Sequence, residues 1–235
     1  MTPAEVATLL ATGEIEVVGK ILESSNQALL VEVSDGVTTV SACYKSEVGE
    51  RRLWDFPRGL WRREIAAYEL DLALGTDLVP PTVARPDAPY GPGSLQLWVD
   101  DNGTDHYFTL RERREFLPYL RALCAFDIVA NNADRKSGHV IFDGVRCWAI
   151  DNGLTFHTDE KLRTVIWDFA CHPITDDLRA RLASFADGNV GGLAQWIDPD
   201  ELALTQLRAG ELADCGVLPE PDGDREWPPY PWPLV

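Results

Sequence analysis

Apolar side chains recur along this chain at two spacings, and the switches between them divide it into elements. Thr2-Pro3-Ala4-Glu5 is a capping box with proline at the first helical position, so a short helix should run to about Gly13. Apolar and polar residues then alternate over 14–22, 27–33 and 38–45, which predicts three strands, with Ser34-Asp35-Gly36 turning between the last two. Residues 54–59 read as a loop. The helical spacing of 61–74 puts Ile65, Tyr68 and Leu72 on one face, and Gly75 is a stop signal. Val79-Pro80-Pro81 breaks regular structure, Thr82-Val83 is a brief strand and 94–99 a further one. The polar stretch 100–105 reads as a connector, and 111 to about 131 as one long helix. Val140-Ile141-Phe142 and Val145-Arg146-Cys147-Trp148 flank Asp143-Gly144, a hairpin signal. Helical spacing returns at 176–186 and 199–209, and the tail 227–233 alternates aromatics with prolines, which permits only extended or polyproline-like backbone. The whole is an α+β plan in two lobes. Residues 1–99 form a small β-rich N-lobe with one main helix, and 100–235 a mostly helical C-lobe that ends in the Pro/Trp-rich tail.

Composition narrows the function. With 45% apolar residues in 235, a core is easily supplied. A net charge of −17 opposes non-specific binding to nucleic acid and docking of a basic surface on anionic lipid. Five widely spaced cysteines, Cys43, Cys124, Cys147, Cys171 and Cys215, include no CxxC pair. Buried free thiols in a reducing cytoplasm fit them better than disulfides or zinc. The first residues lack a basic, then apolar, signal-peptide pattern, and no run approaches the roughly 20 apolar residues of a membrane span.

The chemistry concentrates in two segments that bracket the hairpin: Asn131-Asn132-Ala133-Asp134-Arg135-Lys136-Ser137-Gly138-His139 before it, and Ala149-Ile150-Asp151-Asn152-Gly153 after it. Kinases need this layout, with one Asp orienting and deprotonating the acceptor hydroxyl and a second, one hairpin later, holding Mg²⁺ against the nucleotide phosphates. Asp134, with its neighbours Arg135 and Lys136, is therefore the candidate catalytic group and Asp151 the candidate metal ligand. Five residues past Asp134, where many kinases place a metal-binding Asn, this chain has His139. An imidazole there is either structural or a ligand for Mn²⁺ or a softer ion, since it ligates Mg²⁺ poorly. Lys45 ends the third strand and Glu64 heads the next helix, the positions of a phosphate-holding lysine and its fixing carboxylate. The loop between the first two strands offers Ser24, Ser25 and Asn26 to phosphates but lacks a G-x-G-x-x-G pattern. His106, His157 and His172 have no metal-binding spacing, and Trp98 falls where the connector would meet an adenine ring.

These residues resemble the phosphatidylinositol 3-/4-kinase-like superfamily, whose nearer branches are the type II phosphatidylinositol 4-kinases and HipA-like kinases. Val79-Pro80-Pro81-Thr82, Gly93-Ser94-Leu95-Gln96 and Lys161-Leu162-Arg163-Thr164-Val165-Ile166-Trp167-Asp168 look more closely like a family of short actinobacterial phosphatidylinositol-kinase-like proteins. The resemblance implies a bilobal protein-kinase-like fold and ATP with Mg²⁺ or Mn²⁺. It makes Lys45 the ATP-binding lysine, Asp134 the catalytic Asp and Asp151 the metal-binding Asp, with Gln96, Leu97, Trp98 and Val99 forming an adenine-contacting hinge. The segment from Asn152 to Asp168 is short for an activation loop and lacks a basic run for a phosphoinositide head group. The expected activity is transfer of the γ-phosphoryl group of ATP to a hydroxyl on a small molecule or protein. The alternatives are a nucleotide-binding pseudokinase, or a scaffold that docks a protein partner through the tail. Trp227, Tyr230 and Trp232 would expose a large aromatic area if left free, so the tail should pack back on the body or on a neighbouring chain.

Overall fold

A computed structural model describes residues 1–21, 27–101, 103–221 and 228–234. The proposed phosphate loop residues Ser24, Ser25 and Asn26, and Trp227 of the tail, lie outside the described residues.

The N-lobe is an antiparallel sheet of β1 (Glu14–Lys20), β2 (Leu29–Ser34), β3 (Thr39–Ser46), β4 (Thr82–Arg85) and β5 (Gly93–Leu97) in the order β1-β2-β3-β5-β4. Alternation sets its register, because a one-residue slip would turn Val31, Val33, Ala42 and Tyr44, all fully buried, to the other face. The β2–β3 turn is held by Asp35 Oδ1, which accepts from the amides of Val37 and Thr38 at 2.9 and 2.8 Å. Gly93 opens β5 hard against β3, where a Cβ would come within 2.4 Å of Lys45 O, so only glycine keeps the two strands paired.

The first helix, α1 (Pro3–Thr12), starts on the expected capping box and buries Val6, Leu9 and Leu10. Arg85 Nη1 donates to Leu10 O and Gly13 O, both at 2.9 Å, satisfying carbonyls that the helix end leaves open. The second helix, α2 (Leu60–Leu74), stops at Gly75, whose φ of 57° suits glycine. Its buried face differs from expectation. Ile65 and Tyr68 are buried but Leu72 is exposed, because Leu70 and Leu74 take the inward positions beside Ala66 and Ala67.

In the C-lobe the long helix expected over 111–131 is broken. A short α3 (Tyr107–Leu110) precedes α4 (Leu117–Ala130), since Pro118 is tolerated only in a first turn. The hairpin pairs β6 (Val140–Phe142) with β7 (Cys147–Ala149); Val145 and Arg146 belong to the turn, not to the strand, because Asp143 Oδ1 accepts both their amides at 2.8 Å. Helix α5 (Asp176–Ala186) has its expected bounds. Helix α6 (Pro199–Cys215) runs past the expected end at 209 and through Gly210 to a left-handed Gly216. Its packing on α4 and α5, with Leu212 and Ala213 buried, outweighs the modest cost of one helical glycine. One large core joins α4, α5 and α6 and takes in the buried face of α2; a smaller one lies between α1 and the sheet. Cys124 and Cys147 are in the large core, whereas Cys171 and Cys215, expected to be buried, are exposed at loop and helix ends. Among the described residues no helix is long and apolar enough to cross a membrane.

Candidate active site

Lys45 sits on the half-exposed face of β3 with Cys43, opposite fully buried Ala42 and Tyr44. Its ammonium forms an ion pair with Glu64 of α2 and donates to Asp151 Oδ1 at 2.7 Å. Glu64 is 2% exposed, and its other oxygen accepts the Asn152 amide at 3.0 Å. One glutamate thus joins the strand lysine, α2 and the loop leaving the hairpin. Gly153 lets that loop approach, since a Cβ there would stand 3.2 Å from Glu64 Oε1. Asp151 itself has φ 55°, a left-handed conformation that Asp tolerates better than most residues. The Lys45 ammonium holds the Asp151 carboxyl well below the usual carboxylate range. Burial works against the charge on Lys45, but Asp151 and Glu64 outweigh it and raise Lys45 above an ordinary lysine.

Asp134 follows α4 on a loop braced from behind. Asn132 Oδ1 accepts its amide at 3.0 Å, and Lys136 Nζ lies 3.0 Å from its Oδ2. Burial raises the Asp134 carboxyl above an ordinary aspartate, while Lys136 and Arg163 pull it back. Asp134, Lys136 and Asp151 line one cavity of about 500 Å³, together with Leu53, Leu60, Gly153, Arg51 and Arg163. The two aspartates expected to work on one phosphoryl group therefore face a common space.

Arg135, grouped with Asp134 as catalytic from the sequence, has no exposed surface and does not line that cavity. Its guanidinium forks onto Asp127 of α4 with contacts of 3.0 to 3.1 Å, and also donates to Ile150 O at 2.8 Å and to Asn152 Oδ1 at 2.5 Å. It is a positioning residue that ties the loops of Asp134 and Asp151 to α4. Asn132 and Thr164 complete the shell around Asp127 at 3.0 and 3.2 Å. Sequence reasoning missed Asp127, Asn152 and Thr164. The available signal was an Asp at an inward helical position one turn before the Asn-Asn pair.

His139 contacts the far side of Asp151, with Nε2 3.4 Å from Oδ2. Burial lowers its pKa to about 4, so the ring is neutral at pH 7. Its Nδ1 accepts the Lys136 amide at 3.4 Å, and its Nε2 is the nitrogen that faces Asp151. Asp151 thus presents a carboxylate to the cavity, with the neutral His139 ring against it. Among the described residues no three His, Cys, Asp or Glu side chains cluster to cage a metal. The donor set matches a hard divalent ion held by one carboxylate together with nucleotide phosphates.

The expected hinge is less directly engaged. Gln96 is buried and its amide donates to Thr82 Oγ1 at 2.9 Å. The Trp98 amide donates to Ser41 O and its indole to Asp100 Oδ1. Leu97 and Val99 are half-buried, and none of these four residues lines the cavity of Asp134 and Asp151. The described tail returns to the body through its backbone, but Tyr230 and Trp232 stay exposed, so the aromatic area expected to be covered is not. The amides of Thr164 and Ser137 donate to Pro229 O and Leu234 O at 3.0 and 2.8 Å, and Trp167 Nε1 donates to Pro229 O. Pro228, Tyr230, Pro231 and Trp232 form the outer wall of the cavity.

No family model matches the chain. Solved structures share its fold. The Golgi casein kinase with Mn/ADP bound superposes with a TM-score of 0.59 at 14% identity, covering 95% of this chain and 80% of the other. Hydra Fam20 with sugar gives 0.55 at 15% identity, covering 90% and 87%. At such identities the likeness establishes a bilobal kinase-like α+β fold and nothing finer. A curated relative, Protein Rv2133c of Mycobacterium tuberculosis, is 38% identical over 265 aligned positions that cover 96% of this chain and 94% of its own length. The chain is therefore a kinase-fold protein that belongs to the family of Protein Rv2133c.

Proposed function

We propose that this protein is an ATP-dependent phosphotransferase that moves the γ-phosphoryl group to a hydroxyl on a small molecule or protein. One observation carries the reading: Lys45, fixed by Glu64, reaches Asp151, and Asp151 shares a cavity with Asp134. Phosphoryl transfer needs mainly positioning and charge stabilisation, and these are the groups that supply both. Lys45 would hold nucleotide phosphate oxygens while Glu64 keeps it extended. Asp151 would hold the divalent ion; bound Mg²⁺ or Mn²⁺ neutralises phosphate oxygens. Asp134 would accept a hydrogen bond from the acceptor hydroxyl and take its proton. The acceptor oxygen bonds to the γ-phosphorus as the bond to the ADP oxygen breaks. Arg135 keeps the two aspartate loops in register, and Lys136 steadies Asp134. Mn/ADP in the Golgi casein kinase supports a nucleotide with a divalent ion.

Contacts from Ser24, Ser25 and Asn26 to phosphates, and from the backbone of Leu97 to Val99 to adenine, belong to this reading. So do the lobe division at 99/100, a place beside the phosphatidylinositol 3-/4-kinase-like proteins and a cytoplasmic setting. Because only one carboxylate fits the metal, we expect no tight Mg²⁺ or Mn²⁺ binding without nucleotide.

Calorimetry and a radiolabelled-ATP transfer assay test the proposal. Asp151→Asn should lose metal-dependent nucleotide affinity. Asp134→Asn should keep that affinity within about threefold and lose transfer by roughly 10²- to 10⁴-fold. Wild-type transfer by Asp134→Asn would refute the mechanism. A second reading, a nucleotide-binding pseudokinase, draws on His139 itself, which stands where many kinases place a metal-binding Asn. Nucleotide binding with no transfer to any acceptor would favour it.

A further inference from the structure

We propose that the cavity between Asp134 and the tail is the acceptor site, and that the acceptor is a small, soluble, hydroxyl-bearing anion whose negative group is held by Arg163; the name acceptor rests on the phosphotransferase reading above. Three features of the cavity lead there. The first is charge. In a chain of net charge −17, this wall brings Lys136 and Arg163 together beside two carboxylates. Each carboxylate has a lysine in contact, Asp134 with Lys136 and Asp151 with Lys45, and Arg163 acts on Asp134 without an ion-pair contact.

The second feature is the setting of Arg163. Its amide donates to Asn132 O at 2.8 Å and its carbonyl accepts from Arg135 at 3.0 Å, so its backbone is clamped to the loop of Asp134. Its Nε donates to Ala133 O at 2.9 Å, which fixes the plane of the guanidinium. Among the described residues no group pairs with either Nη nitrogen, and the side chain lines the cavity. A guanidinium held by Nε with two parallel donors open suits a phosphate or carboxylate bound through two oxygens.

The third feature is the tail. Its carbonyls occupy the amides of Ser137 and Thr164, backbone donors that an incoming polypeptide strand would otherwise use. What remains are charged heads and the side chains of Tyr230, Trp232, Leu53 and Leu154. At about 500 Å³ the space accommodates a small molecule. The anionic group would sit on Arg163, the carbon skeleton against the tail aromatics, and the hydroxyl toward Asp134.

The test uses the full chain saturated with Mn²⁺ and a non-hydrolysable ATP analogue, so that the nucleotide subsites are filled. Glycerol and glycerol 3-phosphate, then glucose and glucose 6-phosphate, are titrated as matched pairs by calorimetry. We expect the phosphorylated member of a pair to bind about tenfold or more tighter than the neutral one. Arg163→Gln should abolish that preference and Arg163→Lys keep part of it, with analogue affinity within about threefold and an unchanged thermal melt confirming the fold. Trp232→Ala, at a position 88% exposed, should weaken both members of a pair without touching the nucleotide. Equal affinity within the pairs, no binding of either phosphorylated probe, or a preference that survives Arg163→Gln would overturn the proposal. Phosphatidylinositol in neutral carrier vesicles should not compete with glucose 6-phosphate; competition would overturn the assignment to a soluble acceptor. The same titration without analogue separates the two readings. Arg163-dependent phosphate preference in a protein that binds no nucleotide keeps the anion site and ends the kinase proposal. Analogue binding without that preference does the reverse.

Discussion

Asp134 and Asp151 are one residue type in opposite electrostatic settings. Burial lifts the Asp134 carboxyl, and Lys136 and Arg163 only partly offset it. Asp151 is held low by Lys45. A group that takes a proton must first be ionised, so transfer should fall as pH drops through the raised value of Asp134. The acid limb of kcat/KM should therefore lie above the ordinary aspartate value of 3.8. Lys136→Met removes the nearest cation that lowers Asp134, and the limb should move further up. A pH–rate profile checks both; a limb at or below the ordinary value, or one unmoved in Lys136→Met, would count against Asp134 as the base. Asp151 contributes stability in the reverse sense. Its folded-state pKa is depressed, so the contribution is present above the unfolded value and lost as pH falls.

Helix α2 matters because it carries Glu64, and several contacts outside the sheet hold it in place. Arg63 is buried, donates to Thr155 O and forms an ion pair with Glu201 of α6. Arg62 Nη2 donates to Gln195 O at 3.3 Å, and Trp61 packs edge-on to Trp196 with ring centroids 6.3 Å apart. At its start, Glu50 accepts the amides of Gly59 and Trp61 at 3.0 and 2.7 Å, a cap supplied from outside the helix. Its apolar face belongs to the C-lobe core. Glu64 is thus presented to Lys45 by the C-lobe, so loosening α2 should weaken nucleotide binding. Arg63→Met leaves Glu201 buried without its cation and should cost about 3–5 kcal/mol in urea unfolding. Glu201→Gln keeps an oxygen for the Asp198 amide that it caps. A double-mutant cycle of the two should therefore return a coupling of about 1–3 kcal/mol. A coupling near zero would mean that the pair does not anchor the helix.

Across the molecule, the tail is what converts an open cleft into a walled cavity. It occupies the amides of Ser137 and Thr164 and the indole of Trp167, three donors otherwise left to solvent or burial. A chain ended after Pro221 should lose about 1 kcal/mol per bond and melt at lower temperature. It should also show a raised KM for the acceptor while nucleotide affinity stays within about threefold. An unchanged melt together with an unchanged acceptor KM would show that the tail walls nothing off. The acidic surface and the cationic cavity divide their roles by distance. The first is screened within about 10 Å at moderate salt, whereas the second acts at contact.

Local signals were readable because neighbouring residues set them. The capping box at Thr2, the alternation of the three first strands, the Asp35 turn and the stop at Gly75 all appear where the residues require them. The placement of Asp134 and Asp151 about a hairpin, of Lys45 on β3 and of Glu64 on α2 was readable for the same reason: each depends on a short element. Features decided by packing were not readable. Whether Leu72 or Leu74 faces inward, and whether α6 continues through Gly210, depends on which surfaces other elements bury. Arg135 resembles a catalytic cation in sequence and becomes a buried strut only because Asp127, eight positions earlier, turns a carboxylate toward it. The wall of the acceptor cavity comes from a tail some 95 positions beyond Asp134. Burial makes an unpaired polar group costly, so partners are chosen by proximity in the folded chain, and spacing along the sequence does not record that choice.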